Sequence, residues 1–169
     1  MTEEVQRNYL EINSIQDLKE TIKPNDDYSI SLLKPINFQL NKFFYKNIGK
    51  KHKWIDRLVW TETQWIDYVS SAKVETYIFK YRNNLAGFFE LIFYVEKKEV
   101  EIAYFGLLEE FQNKKLGSYL LSEAIKKSFK SNIDRVWLHT CSLDHKNALS
   151  DYIARGRKIL KFETIRIYF

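Results

Sequence analysis

The sequence predicts a mixed α/β (α+β) fold. Between residues 74 and 108, three runs rich in β-branched and aromatic residues follow one another across short turn signals, the pattern of consecutive antiparallel strands. From residue 116 onward the apolar period lengthens to that of an amphipathic helix, and strand, helix and strand then follow to the end of the chain. No repeat, linker or shift in composition divides the 169 residues, so one domain over 1–169 is expected.

The elements can be justified in order. Tyr9 to Ile12 reads as a short first strand, and Ser14 or Asp17 can cap a weak helical turn after it. Phe38, Leu40, Phe43, Phe44 and Ile48 recur at helical spacing, with Gly49 as the stop signal. Thr61-Glu-Thr-Gln64 has the form of a capping box, in which a Thr oxygen and a Gln amide satisfy free backbone donors, so a second helix begins there. Strands are expected over 74–81 and 85–95, joined at Asn83-Asn84, which tolerates positive φ in a tight hairpin. Lys97-Lys98 then turns the chain into a third strand over 100–108. Leu116, Leu120, Leu121, Ala124, Ile125 and Phe129 make one apolar helical stripe, with Ser122, Glu123, Lys126, Lys127 and Lys130 facing water. A strand over 135–140, a helix over 146–155 and a strand over 159–169 complete the reading.

Composition narrows the function classes. Hydrophobic residues at 45% supply enough apolar surface to offset chain entropy, which excludes a disordered spacer. A single cysteine excludes an internal disulfide and a Cys-rich zinc site. The first residues hold no apolar signal-peptide core, and the run 85–95 is broken by Glu90 and too short to span a bilayer, so a soluble, cytoplasmic protein with no membrane partner is expected. Lys and Arg (27) exceed Asp and Glu (22) by five, an excess that suits an anionic ligand, either a phosphorylated cofactor or a nucleic acid. No helix-turn-helix or RNP-type string supports the second.

The chemistry concentrates at the strand-to-helix junction 107–117. A helix start leaves backbone N–H groups without partners and carries a partial positive charge. Gly117 allows close backbone approach, while Lys114 and Lys115 add full charges, so the segment forms a natural diphosphate cradle; the alternative is a solvated basic turn. Gln112-x-x-Lys115-x-Gly117 resembles the acyl-CoA signature of the GNAT superfamily of N-acetyltransferases, and Ala148-x-x-x-Tyr152-x-x-x-Gly156 is similar to the late helix of that superfamily. Residues 101–108 and 135–145 are similar to a bacterial GNAT subgroup, as are Trp54, Arg57, Trp60 and Trp65 in the N-terminal half. Two positions depart from the pattern. Lys115 stands where glycine is usual, at a cost of about 1 kcal/mol if that position requires positive φ, and Arg157 replaces the usual Phe.

The resemblance implies a mostly antiparallel central sheet flanked by helices, with the fourth and fifth strands splayed apart. It implies acetyl-CoA as acyl donor, no metal, and transfer of the acetyl group to a primary amine of a small molecule or peptide by direct attack in a ternary complex. By position, Phe105 N–H would lie near the thioester carbonyl, Leu107 and Leu108 would pair with the pantetheine arm, and Gln112, Asn113, Lys114, Lys115, Leu116, Gly117 and Ser118 would hold the diphosphate. Glu101 is the general-base candidate and Tyr152 the acid that protonates the leaving thiolate. Trp54, Arg57 and Trp60, on a helical lid, and His139, on a strand end, are candidates to line the acceptor pocket. His139, Cys141, Asp144 and His145 fall close in sequence, but strand and turn directions do not converge them on a metal. A non-catalytic acyl-CoA-binding module, motivated by Lys115 and Arg157, and a basic nucleic-acid-binding domain are the alternative readings. The acceptor's identity is left open, and so is a homodimer.

Overall fold

The computed structural model describes residues 2–52, 54–112, 115–130, 132–141 and 158–168. The elements run β1 (Thr2–Ile12), β2 (Tyr28–Leu32), α1 (Phe38–His52), α2 (Glu62–Ser70), β3 (Val74–Tyr81), β4 (Asn84–Tyr94), β5 (Glu99–Leu107), α3 (Leu116–Ser128), β6 (Arg135–Cys141) and β7 (Lys158–Tyr168). The seven strands form one sheet in the order β2-β3-β4-β5-β6-β1-β7. Every neighbouring pair is antiparallel except β5 and β6, which are parallel and joined through α3. The predicted mixed fold is thus present; the helix expected over 146–155 lies outside the described residues.

Local chemistry explains most boundaries. Thr61 Oγ1 accepts from Gln64 N–H at 3.2 Å while Gln64 Oε1 accepts from Thr61 N–H at 2.8 Å, closing the capping box that starts α2. Ser14 caps a 3-10 turn over Ile15–Asp17. The β3–β4 hairpin turns one residue earlier than expected. Arg82 (φ 47°) and Asn83 (φ 70°) take consecutive positive φ, whose twist suits a two-residue turn, and Asn84 already belongs to β4.

Three other expectations change. Gly49 does not stop α1, which continues to His52; the glycine serves packing, because a Cβ there would meet Trp54 Cβ at 2.7 Å. Ser122 is fully buried rather than facing water, and its hydroxyl accepts Thr21 N–H at 3.0 Å, tying the segment after β1 to α3. The short edge strand β2 was not foreseen, and β1 is longer than Tyr9–Ile12 and runs inside the sheet between β6 and β7.

The sheet is covered on both faces. On one, Leu116, Leu120, Leu121, Ala124 and Ile125 of α3 pack with Phe89, Leu91, Val100, Ile102, Val136 and Leu138. On the other, Phe44 and Ile48 of α1 pack on Ile78 and Phe88, the Phe44 and Phe88 rings stacking at 5.0 Å.

Candidate functional site

The parallel pair β5–β6 is short. Only Glu99↔Arg135, Val100↔Val136 and Glu101↔Trp137 are in register, although β5 continues to Leu107 and β6 to Cys141. Beyond that point the strands part, leaving a V whose vertex is Glu101 and Trp137. This is the splay expected between the fourth and fifth strands of the sequence reading, here β5 and β6.

A bulge orients the β5 arm of the V. Leu91 pairs with Ile102 but Glu90 pairs with Tyr104, so Ala103 is an extra residue. The insertion shifts the alternation, placing Tyr104 on the α1 side of the sheet with Glu101 and turning Phe105 and Leu107 to the α3 side with Ile102. Leu108 N–H donates to Ala86 O at 2.8 Å. Alternation along an antiparallel ladder therefore turns the Phe105 and Leu107 main-chain groups away from β4, toward the splay. The Leu108 N–H is thus spent on β4, and its carbonyl accepts Phe111 N–H at 2.9 Å.

The junction after β5 leads into the α3 N-terminus. Lys115 precedes Leu116 with φ 60° and ψ 14° and gives the helix no side-chain cap. Lys115 thus takes a left-handed conformation, the region that favours glycine. A Cβ on Gly117 would meet nothing within 4 Å, so the first turn of α3 opens onto space a ligand can occupy. Gln112 latches this corner: its Nε2 donates to Leu107 O at 3.3 Å and its Oε1 accepts Lys51 Nζ at 3.0 Å. These features fit a nucleotide thiol, with strand-like donors for an amide arm and uncapped helix donors for a diphosphate. Ser118 lies half-buried in the same first turn; Asn113 and Lys114 lie outside the described residues.

Glu101 sits at the vertex, half-buried, and its Oε1 accepts the Tyr94 hydroxyl at 3.1 Å. Burial and the Glu101 carboxylate push the Tyr94 phenol up to about 12. Across the V, the His139 ring contacts Tyr9 at 6.0 Å, and Tyr9 contacts Trp137 at 6.3 Å. Tyr152, Asp144 and His145 lie outside the described residues.

The aromatic lid holds a buried polar network that the sequence did not reveal. Glu90 is completely buried and Arg57 nearly so; Arg57 Nη1 and the Tyr68 hydroxyl each donate to Glu90 Oε1 at 2.8 Å, and Asn41 Nδ2 donates to Oε2 at 2.9 Å. The Arg57 guanidinium lies 4.1 Å from the Tyr68 ring centroid, 4.4 Å from that of Tyr104 and 4.7 Å from that of Trp60. Burial works against the Arg57 cation, but Glu90 more than compensates and raises its pKa. Burial likewise raises the Tyr104 phenol well above its ordinary value. Trp54 packs edge-on to Tyr104 at 4.7 Å, and Trp60 to Trp65 at 5.0 Å. Arg57 and Trp60 therefore stand behind Tyr104, and Tyr104, one residue past the bulge, is the lid's contact with the splay arm. The only signal in the sequence was Glu90 interrupting an apolar strand.

Among the described residues no group of three or more His, Cys, Asp and Glu could hold a metal ion, and no helix is long and apolar enough to cross a membrane. Comparison with known proteins adds to this geometry. No curated protein matches the sequence. Several solved structures are similar. A GCN5-related N-acetyltransferase from Sphaerobacter thermophilus has a TM-score of 0.72 at 12% identity over 96% of this chain and 51% of its own. One from Kribbella flavida has a TM-score of 0.65 at 13% identity over 95% and 56%. A Bacillus subtilis acetyltransferase in complex with CoA has a TM-score of 0.56 at 23% identity over 76% and 75%. The chain spans little more than half the length of the first two, and at these identities the likeness is one of fold. Residues 37–156, more than half of the sequence, match the Acetyltransferase (GNAT) family, and the chain belongs to that family.

Proposed function

We propose that the chain is an acetyl-CoA-dependent N-acetyltransferase that acylates a primary amine by direct attack in a ternary complex. The observation that carries the reading is the splay: Phe105 and Leu107 turn main-chain groups toward the V between β5 and β6, and the next helix after that strand, α3, starts without a side-chain cap. Bound acetyl-CoA would supply an activated thioester carbonyl. The amides of Lys115 to Ser118 would hold the diphosphate, with Asn113 and Lys114 completing the loop, and Leu107 would pair with the pantetheine amides. Phe105 N–H would donate to the carbonyl oxygen as negative charge develops there. Glu101, at the vertex and on the acceptor face, would take the proton from the incoming ammonium, directly or through water. The Tyr152 hydroxyl would protonate the departing thiolate. His139 and Tyr104, with Trp54 against it, would bound the acceptor pocket from the two arms of the V, whereas Arg57 and Trp60 would support that wall from behind. Holding both reactants in one cleft provides acceleration through proximity.

The decisive assay incubates purified protein with acetyl-CoA and a broad panel of amines and follows release of free thiol. Amine-dependent release with the acetylated amine as product is expected. Acetyl-CoA binding without turnover on any amine would instead favour the non-catalytic module.

A further inference from the structure

α1 continues through Lys50, Lys51 and His52, and the C-terminal end of that helix is held against the cofactor corner. Three contacts fix it there. Ile48 sits over Gly106 so closely that a Cβ on Gly106 would lie 2.7 Å from Ile48 Cγ2. Trp54 N–H donates to Gly49 O at 2.9 Å, and its ring packs on Tyr104 of β5. Lys51 Nζ then reaches Gln112 Oε1 at 3.0 Å.

We propose that Lys51 is a direct ligand of the cofactor's diphosphate, so that the end of α1 contributes a cation to the phosphate site. This rests on the acetyl-CoA reading above. The chemistry of the contact supports it. Gln112 is a neutral amide that accepts one of the three donors of the ammonium, so Lys51 keeps its full charge and two further N–H groups at an exposed position beside the phosphate loop. Lys50 precedes it on the same helix end, also exposed, and among the described residues it is Lys51 that bonds to Gln112. A helix C-terminus carries partial negative charge and would repel an anion, and a full charge on Lys51 reverses that sign locally.

Calorimetric titration with CoA and with dephospho-CoA, which keeps the diphosphate but lacks the 3′-phosphate, tests this. Lys51→Met is expected to weaken both ligands about tenfold at low salt, with a smaller loss at high salt. Lys50→Met, equal in net charge, should leave both within about twofold. In a Gln112→Ala background the Lys51→Met loss should persist, because the contact is direct rather than relayed through Gln112. Unchanged affinity in Lys51→Met, a loss for CoA alone, an equal loss in Lys50→Met, or disappearance of the effect in the Gln112→Ala background would each overturn the assignment while leaving cofactor binding intact. Wild-type protein that bound neither ligand would overturn the acetyl-CoA reading, and the assignment with it.

Discussion

Replacing Glu90 by Gln should destabilise the fold more than almost any other conservative change, and the reason can be traced atom by atom. In the native protein one carboxylate oxygen accepts from Arg57 and Tyr68 and the other from Asn41, all in a site where Glu90 is 0% and Arg57 6% exposed. A glutamine keeps one acceptor, and its NH₂ can be met by the unpartnered Asn41 Oδ1 if that amide flips, so the loss falls mainly on Arg57. Arg57, meanwhile, stays buried without a counter-charge. Leaving one partner of a buried ion pair uncompensated costs about 3–5 kcal/mol. The Tyr68, Tyr104 and Trp60 rings around the guanidinium offset about 1–2 kcal/mol of that at most. A net loss of about 1–4 kcal/mol corresponds to a fall in Tm of roughly 2–16 °C for a chain of this size. Urea denaturation of the wild type, Glu90→Gln, Arg57→Met and the double variant Arg57→Met/Glu90→Gln measures it. The double variant should be more stable than either single one, since it removes the charges together. A single-variant loss under about 1 kcal/mol, or a double loss equal to the sum of the singles, would refute the argument.

Other outcomes follow from the same geometry. Gly87→Ala should cost about 1–3 kcal/mol in denaturant unfolding, because the new methyl would lie 2.5 Å from the Gly106 carbonyl oxygen, a backbone atom that cannot step aside; wild-type stability would contradict that packing. Lys115→Gly should raise stability by about 1 kcal/mol, since residue 115 sits at φ 60°, and should leave acetyl-CoA affinity nearly unchanged in calorimetry; a loss of stability would show the lysine to be unstrained. The neutral Tyr94 phenol is favoured in the fold, with its pKa raised from 10.0 to about 12, so its contribution is complete below pH 10 and disappears as pH rises through 10 to 12. Tyr94→Phe should therefore flatten the stability-against-pH curve in that window, and an unaltered curve would count against the Tyr94–Glu101 contact. In the transferase assay, Glu101→Gln should depress the rate most below the acceptor's ammonium pKa, and Tyr152→Phe should lower kcat with little change in acetyl-CoA affinity; an unaltered pH profile or unchanged kcat would remove the respective role.

Short-range chemistry was legible in the sequence wherever one segment carried it alone. The capping box at Thr61, the alternating strands of the central meander, the α3 stripe and the Gln112-to-Gly117 string all concern neighbours within a turn or two, and backbone sterics and periodicity suffice to place them. Gly49 and Ser122 were misjudged because their surroundings come from elsewhere: Trp54 folds back over the glycine, and Thr21, from a segment distant in sequence, supplies the donor for the hydroxyl.

What the residues determined by themselves was the order of the central strands and α3, and a string that resembles the family's acyl-CoA signature. What only tertiary structure decided was how strands distant in sequence meet. The bulge at Ala103 puts Tyr104 on the α1 face and Phe105 on the α3 face, the reverse of unbroken alternation, β1 enters the sheet between β6 and β7, and β5 parts from β6 after Glu101. Side-chain period cannot reveal such events, because one extra residue in a strand inverts every face beyond it and strand pairing depends on contacts across the whole chain. For the same reason Glu90 read as a flaw in an apolar strand until Arg57, Tyr68 and Asn41 were seen to converge on it from α1, α2 and the loop between them.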